Sequence, residues 1–315
     1  MNRDRDEDER PVKPQFVELG QTIEAITLDF GNTLVPFPAA SRGDVVEIVA
    51  DRAAERLHVP SQDFLRLWSE ERARQLAEDV PEGREADLRP RVARVLARLR
   101  GHPAPENGTR WDDADAAARS SPSEVDDLLE TYADGFVRLT SVPPEIGPLL
   151  ELLAREYTLA IISNWPLADA IERYVEAAGW SKHLSAVVVS ETVGCIKPHP
   201  EIFRATAKAL GITSGRRFLH VGDDLGADVG GARGVGWRAA WIRIPPEDAK
   251  DSPLPVAPVT IRNVSEQSVS VGGSRTWRFF FNTPVKFGST WGFGLLFSQG
   301  TFQWGYVSFN VLSSF

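Results

Sequence analysis

Two short apolar segments that end in carboxylates limit what this chain can fold into. The first, residues 24–30, carries Asp29 near its end, and the second, residues 218–221, comes just before Asp223 and Asp224. Both segments are apolar and contain β-branched residues, which is typical of buried strands. Because ligands of open α/β sheets bind at the carboxyl ends of the strands, we expect these acids to meet at one edge of a parallel sheet.

The clustered acids predict a divalent metal site. Asp228 follows the second segment closely, so that four carboxylates belong to the candidate metal ligands: Asp29, Asp223, Asp224 and Asp228. Carboxylates in one site repel each other, and a hard cation with a preference for oxygen ligands neutralises them. The sequence therefore indicates Mg²⁺-assisted chemistry on an anionic substrate.

Composition narrows the functional classes. The formal net charge of −9 argues against nonspecific binding to nucleic acid or to an anionic membrane. The single cysteine, Cys195, excludes an intrachain disulfide and favours a reducing compartment, so we expect a cytoplasmic protein.

Residues 1–20 are highly charged at their start and lack the apolar core of a secretory signal, so we expect a disordered leader. No window is apolar enough to predict a transmembrane helix. Nothing in the sequence fixes the oligomeric state.

The apolar periodicity divides the chain into an α/β core and an all-helical insertion. Residues 38–140 carry four helical stripes that lie between two proline-containing boundaries. Ser61 is a candidate N-cap of the second helix, and the polar stretch 101–121 is predicted to be a loop. Residues 21–37 and 141–265 read as alternating strands and helices, which predicts a parallel sheet with helices on both faces. Further strands are predicted at residues 158–163, 186–189, 239–242 and, at an edge, 259–261.

The last segment of the chain, residues 266–315, has a different composition. Residues 267–315 contain no aspartate or glutamate but hold 13 aromatic residues, and alternation at residues 302–306 resembles a strand. The abrupt change predicts an appended tail that the core does not need for folding. The alternative is a β-hairpin that packs on the sheet edge and buries its aromatic rings.

Several residues between the acidic segments can serve phosphoryl chemistry. Asp29 is the candidate nucleophile, because a carboxylate can form a covalent intermediate and divide one difficult step into two. Ser163 and Asn164 end a predicted strand and could hold phosphoryl oxygens, as could Asn32. Lys197 is one of only six lysines and could offset the charge on Asp29 and on the transferring group.

These residues occur in an order that resembles the haloacid dehalogenase-like hydrolase superfamily, over about residues 21–265. Each of its four motifs has a counterpart: Asp29 with Thr33, then Ser163, then Lys197 in a Lys-Pro-x-Pro-Glu-x-Phe run, then Gly222-Asp223-Asp224 with Asp228. The resemblance implies a Rossmann-like core with a helical cap inserted after the first strand.

The resemblance also implies roles for the site residues. Mg²⁺ would be held by Asp29, Asp223 and the Gly31 carbonyl, while Asp224 and Asp228 would position the metal or the lysine. Asp29 would form an aspartyl intermediate, with Lys197, Ser163 and Thr33 assisting. The expected substrate is a small phosphorylated metabolite.

One residue departs from the pattern of the family's phosphatases. They carry a second aspartate two positions after the nucleophile as general acid/base, and this chain has Gly31 there. General acid/base catalysis contributes about 10²–10⁴-fold, so we expect weakened turnover of alkyl phosphates. Two alternatives stay open: a catalytically impaired module that binds a phosphorylated ligand, and a 2-haloacid dehalogenase. A phosphonate hydrolase is disfavoured, because that branch uses a cap lysine and residues 38–140 contain none.

Overall fold

A five-stranded parallel sheet forms the core of the protein. The computed structural model describes residues 23–37, 39–106, 109–242, 265–270 and 276–281. The sheet has the order β3-β2-β1-β4-β5, with all neighbouring strands parallel. This arrangement confirms the predicted α/β fold and places β1 at the centre. The strands are β1 (Ala25–Leu28), β2 (Thr158–Ser163), β3 (Ala186–Val189), β4 (Phe218–Gly222) and β5 (Arg238–Trp241).

The insertion between β1 and β2 is helical throughout its described regular structure. Its helices are α1 (Ala39–Leu57), α2 (Ser61–Asp79), α3 (Leu88–Leu99), α4 (Asp113–Ala118) and α5 (Pro122–Leu139). Two local predictions were wrong. Ser61 is the first residue of α2, and Pro60 occupies the N-cap position without a side-chain hydrogen bond. The predicted loop 101–121 contains α4, which Asp112 caps by accepting N–H bonds from Ala114 and Asp115.

Five more helices flank the sheet in the described part of the core. They are α6 (Ile146–Ala154), α7 (Ala168–Ala177), α8 (Ser190–Val193), α9 (Pro200–Leu210) and α10 (Gly231–Gly234). A π-helical turn over Leu225–Gly230 precedes α10. Among the helices that the structure describes, none combines the length and apolarity needed to cross a bilayer.

Aromatic rings join the helical insertion to the sheet. Phe136 of α5 is fully buried, and its ring centroid lies 5.2 Å from that of Trp165 and 6.3 Å from that of Phe30. Tyr174 of α7 meets Phe30 edge to face at 5.3 Å. Burying one such ring contributes about 1.5–3 kcal/mol. The insertion and the sheet therefore share one continuous apolar cluster.

A hairpin follows the core in the sequence. It consists of the antiparallel strands β6 (Ser265–Ser270) and β7 (Thr276–Phe281), and β7 lies near β5. The predicted boundary between residues 265 and 266 falls within β6. The predictions for the leader at 1–20, the strand at 259–261 and the alternating segment 302–306 lie outside the described residues.

Candidate active site

Asp29 stands at the carboxyl edge of the central strand. It is the first residue after β1, and its backbone N–H donates to the Val221 carbonyl of β4 at 2.8 Å. The residue is only 7% exposed. Burial raises the pKa of the Asp29 carboxyl, and the Lys197 ammonium opposes that shift. The predicted nucleophile thus lies where two neighbouring strands end.

Lys197 reaches Asp29 from the segment between α8 and α9. Its Nζ donates to Asp29 Oδ1 at 2.6 Å, to Asp228 Oδ1 at 2.6 Å and to the Ile162 carbonyl at 2.9 Å. All three ammonium donors are therefore used. Burial acts to lower the pKa of Lys197, but the two carboxylates outweigh it and the pKa is raised. The cation stays charged and offsets the acids around it.

The segment that carries Lys197 is held by Asn164. The Asn164 Nδ2 donates to the Lys197 carbonyl at 3.0 Å, and its Oδ1 accepts the Lys197 N–H at 2.7 Å. The side-chain amide that the sequence suggested for phosphoryl binding thus bonds the lysine backbone. Ser163, at the end of β2, is 1% exposed and directly precedes this amide.

Three carboxylates come together as a possible metal site. One oxygen from each of Asp29, Asp223 and Asp228 lies within 4.8 Å of the others. Burial raises the pKa of Asp223 to about 7, and repulsion from Asp29 and Asp228 adds to the shift. This donor set fits a hard divalent cation such as Mg²⁺, which binds oxygen ligands and would relieve the repulsion.

Asp224 and Asp228 have different surroundings. Asp224 caps the π-helical turn, its Oδ1 accepting N–H bonds from Gly226 and Ala227, both at 2.7 Å, and it lies outside the three-carboxylate group. Asp228 Oδ2 accepts the Asp224 N–H at 2.9 Å. Although burial acts to raise it, the Lys197 charge and the His220 hydrogen bond lower the pKa of Asp228. A metal role for Asp224 stays a prediction.

His220 belongs to this network, and the sequence reasoning missed it. The imidazole lies fully buried in β4, with Nδ1 2.8 Å from Thr27 Oγ1 and Nε2 3.1 Å from Asp228 Oδ1. Because a carboxylate only accepts, Nε2 is the donor to Asp228. The available signal was a polar residue in the middle of an apolar strand. His220 links β1, β4 and the carboxylate that Lys197 contacts.

The loop after β1 shapes the space beside Asp29. Asn32 adopts a left-handed conformation (φ 57°), and its Oδ1 accepts the Phe37 N–H at 3.1 Å. Thr33 is buried, and its Oγ1 has no hydrogen-bond partner among the described residues. A Cβ added at Gly31 would meet no other atom within 4 Å. The side chain that the phosphatase pattern would place here is therefore absent, while the space for it exists.

The helical insertion contacts this edge through three hydrogen bonds. The Leu88 N–H donates to the Pro166 carbonyl at 3.0 Å, and the Ile196 N–H donates to the Gly83 carbonyl at 2.9 Å. Ser190 Oγ also donates to Glu85 Oε2. Burial raises the pKa of the Glu85 carboxyl. These contacts connect the segment before α3 to the loops that carry Asn164 and Lys197.

The sequence model of the haloacid dehalogenase-like hydrolases matches residues 23–236. The chain belongs to this family. The match spans both halves of the core and the insertion, and therefore includes every candidate site residue. The predicted family is confirmed.

Characterised relatives include both phosphatases and dehalogenases. The chain is 33% identical over 138 residues to a phosphoserine phosphatase of Thermus thermophilus, covering 43% of this chain and 55% of the relative. It is 32% identical over 110 residues to a glyceraldehyde 3-phosphate phosphatase of Pyrococcus abyssi, covering 34% and 44%. An (S)-2-haloacid dehalogenase of Xanthobacter autotrophicus is 31% identical over 115 residues, covering 36% and 44%. These matches span about half the length of each relative.

A solved structure has the same fold. The 2-haloacid dehalogenase of Pseudomonas syringae pv. tomato superposes with a TM-score of 0.52 at 25% identity, covering 70% of this chain and 86% of that one. The family is thus established, while the relatives differ in the bond that they break.

Proposed function

We propose that the protein is a cytoplasmic, Mg²⁺-dependent phosphatase acting on a small phosphorylated metabolite through an aspartyl-phosphate intermediate. The observation that carries this proposal is the contact of Lys197 with both Asp29 and Asp228, beside Asp223. The proposed nucleophile, a cation and three carboxylates that could hold Mg²⁺ meet at one edge. The phosphatase relatives support the choice of phosphorus as the centre attacked.

Lys197 fixes which oxygen of Asp29 reacts. It holds Oδ1 at 2.6 Å, which leaves Oδ2 as the oxygen that would attack phosphorus. Its buried charge offsets the negative charge that gathers on Asp29 and the phosphoryl group. The attack would break the bond between phosphorus and the leaving-group oxygen, and water would later release phosphate from the phosphorylated Asp29. Mg²⁺, held by Asp29, Asp223, Asp228 and the Gly31 carbonyl, would supply further positive charge to the phosphoryl oxygens. Ser163 and Thr33 are the proposed hydroxyl ligands of those oxygens.

Gly31 limits the leaving groups that this site handles well. An alkoxide is a poor leaving group without a proton donor, whereas an activated aryl oxide leaves without one. We therefore expect measurable activity with an aryl phosphate and weak activity with alkyl phosphates.

The test compares wild type with Asp29→Asn in an aryl phosphatase assay, with and without a chelator. We expect Asp29→Asn and chelation each to abolish turnover. The exposed cap residue Asp126 offers a matched control, since Asp126→Asn should keep full activity. Turnover that survives Asp29→Asn would overturn the mechanism.

Two other functions have specific support. The absence of a side chain at Gly31 favours a module that binds a phosphorylated ligand without rapid turnover. Thermal-shift screening of phosphorylated metabolites beside a turnover assay identifies it by binding without hydrolysis. The dehalogenase relatives favour halide release from a 2-haloacid. Mg²⁺-independent halide release would identify that activity.

A further inference from the structure

Trp165 places an unused hydrogen-bond donor at the edge that carries the active site. It directly follows Asn164, is 9% exposed, and its Nε1 has no hydrogen-bond partner among the described residues. Its ring is fixed between Phe37, edge to face at 4.8 Å, and Phe136 at 5.2 Å. Its backbone N–H is held by Ser190 Oγ at 2.9 Å. The indole therefore cannot simply turn to find an acceptor, and buried donors without partners are rare.

Arg91 provides further hydrogen-bond donors in the helical insertion. It lies in the first turn of α3 and is 4% exposed. Its Nε donates to Gln75 Oε1 at 2.7 Å, its Nη2 donates to the Ala86 carbonyl at 2.8 Å, and the guanidinium lies 5.2 Å from the centre of the Trp68 ring. All of these partners are uncharged. Burial lowers the pKa of Arg91 to about 10, so it remains a cation at neutral pH.

The pairing of Arg91 differs from that of two other arginines of α3. Arg94 meets Asp113 at 2.8 Å and Arg98 meets Glu71 at 2.9 Å. For Arg91, no carboxylate of the described residues lies within 4.0 Å, and its Nη1 makes no hydrogen bond to them. Buried charges are normally paired with an opposite charge. The carboxylates of Glu85 and Asp87 attract Arg91 only from beyond that distance, so Nη1 is left for an anion from outside the chain.

Backbone contacts bring the segment of Arg91 onto the loop of Trp165. Arg91 bonds the Ala86 carbonyl, and two residues later the Leu88 N–H bonds the carbonyl of Pro166, the neighbour of Trp165. On α5, Tyr132 interacts electrostatically with Arg91 and lies one turn before Phe136, whose ring packs on Trp165. Both donors therefore belong to the region where the insertion meets the catalytic edge.

We propose that the leaving group of the substrate carries a carboxylate that is recognised by Trp165 Nε1 and the Arg91 guanidinium. This inference rests on the proposed phosphatase function and narrows its substrate class to phosphorylated carboxylic acids. Both residues can only donate, so the ligand group must accept. The buried guanidinium selects an acceptor with negative charge, and a planar carboxylate can take hydrogen bonds from both donors.

The test uses two substrates that differ only by the carboxylate, O-phosphoserine and O-phosphoethanolamine. Trp165→Phe keeps an aromatic ring and removes the N–H, while Arg91→Met keeps an apolar stem and removes the charge. For each variant we expect kcat/KM for phosphoserine to fall about tenfold or more, as loss of a hydrogen bond to a charged group does, and kcat/KM for phosphoethanolamine to stay unchanged. Trp237→Phe serves as the control, since this buried tryptophan belongs to a different apolar cluster from Trp165, and it should change neither value.

The result for Trp165→Phe decides the proposal even if Arg91→Met fails to fold. Equal losses for both substrates, or no loss for either, would overturn the carboxylate site and leave the phosphatase function standing. If wild type hydrolyses neither compound, calorimetric binding of the same pair to Asp29→Asn separates the two ideas. Tighter binding of phosphoserine that Trp165→Phe removes would then support the site although the phosphatase function has failed. Equal binding of the two compounds would overturn it.

Discussion

Restoring an acid at position 31 should increase the turnover of alkyl phosphates. An added Cβ at Gly31 meets no other atom within 4 Å, and Gly31 is not among the residues with positive φ. Gly31→Asp therefore introduces neither a clash nor backbone strain. The new carboxyl would stand two residues after Asp29 and near Asp223, and their negative charges would raise its pKa and favour the protonated form that can donate to a leaving group.

The size of the gain follows from general acid catalysis. A positioned acid accelerates such steps by about 10²–10⁴-fold, which corresponds to a barrier lower by about 3–5 kcal/mol. We expect kcat/KM for glycerol phosphate to rise by about 10²-fold. The value for p-nitrophenyl phosphate should change little, because that leaving group needs no proton.

The assay is the ratio of kcat/KM for the alkyl phosphate to that for the aryl phosphate. Gly31→Asn serves as a control because it matches aspartate in size without supplying an acid, and Gly31→Ala controls for the loss of glycine alone. A ratio that stays at the wild-type value in Gly31→Asp, in a folded protein, would refute the argument that the missing acid limits turnover. A ratio that rises equally in Gly31→Asn would refute the assignment of the gain to a proton.

Three further predictions test the site, the cap and the tail. Gly222→Ala should lower Tm and abolish the Mg²⁺-induced thermal shift, because its Cβ would lie 2.2 Å from Asp228 Cγ, whereas Gly234→Ala, with nothing within 4 Å, should do neither. Burial raises the pKa of Asp87 from 3.8 to about 6, so the folded state binds the proton more tightly than the unfolded state does. The free energy of unfolding should therefore fall as the pH rises from 3.8 to about 6, by an amount on the order of 1–3 kcal/mol. Urea titrations at several pH values measure this fall, and Asp87→Asn should remove it. Truncation after Glu266 should preserve the Mg²⁺-induced shift, and a protein that no longer folds would show that the tail belongs to the core.

The sequence predicted which side chains meet at the candidate site, because Asp29, Asn164 and Asp223 each follow a different strand. The bounds of β2 and β3 were predicted correctly from short β-branched runs, and Asp29 and Asp223 then had to meet once the strands were parallel. Helix α4 was missed because alanine is its only apolar residue type, and an alanine stripe gives a weak periodic signal.

The contacts of the candidate site were less predictable than its location. His220 joins Thr27 to Asp228 across 193 and 8 positions of the chain, and such pairings leave no local periodicity. The same holds for Glu85, which reaches Ser190 from the insertion. Asn164 was correctly placed at a strand end, but its partner is the backbone of Lys197, which depends on the path of a distant loop.

The three polar contacts between the insertion and the core have a consequence for the order of kinetic events. They join Leu88 to Pro166, Ile196 to Gly83 and Ser190 to Glu85. If the insertion moves away from these loops, the three hydrogen bonds break together, and each adds about 1 kcal/mol to the cost of opening. The time for which a product stays bound would then depend on the opening of the insertion as well as on the affinity of the site for that product. In a rapid-mixing experiment, the first turnover would form product in a burst, and the rate of later turnovers would be limited by the slower opening and closing of the insertion.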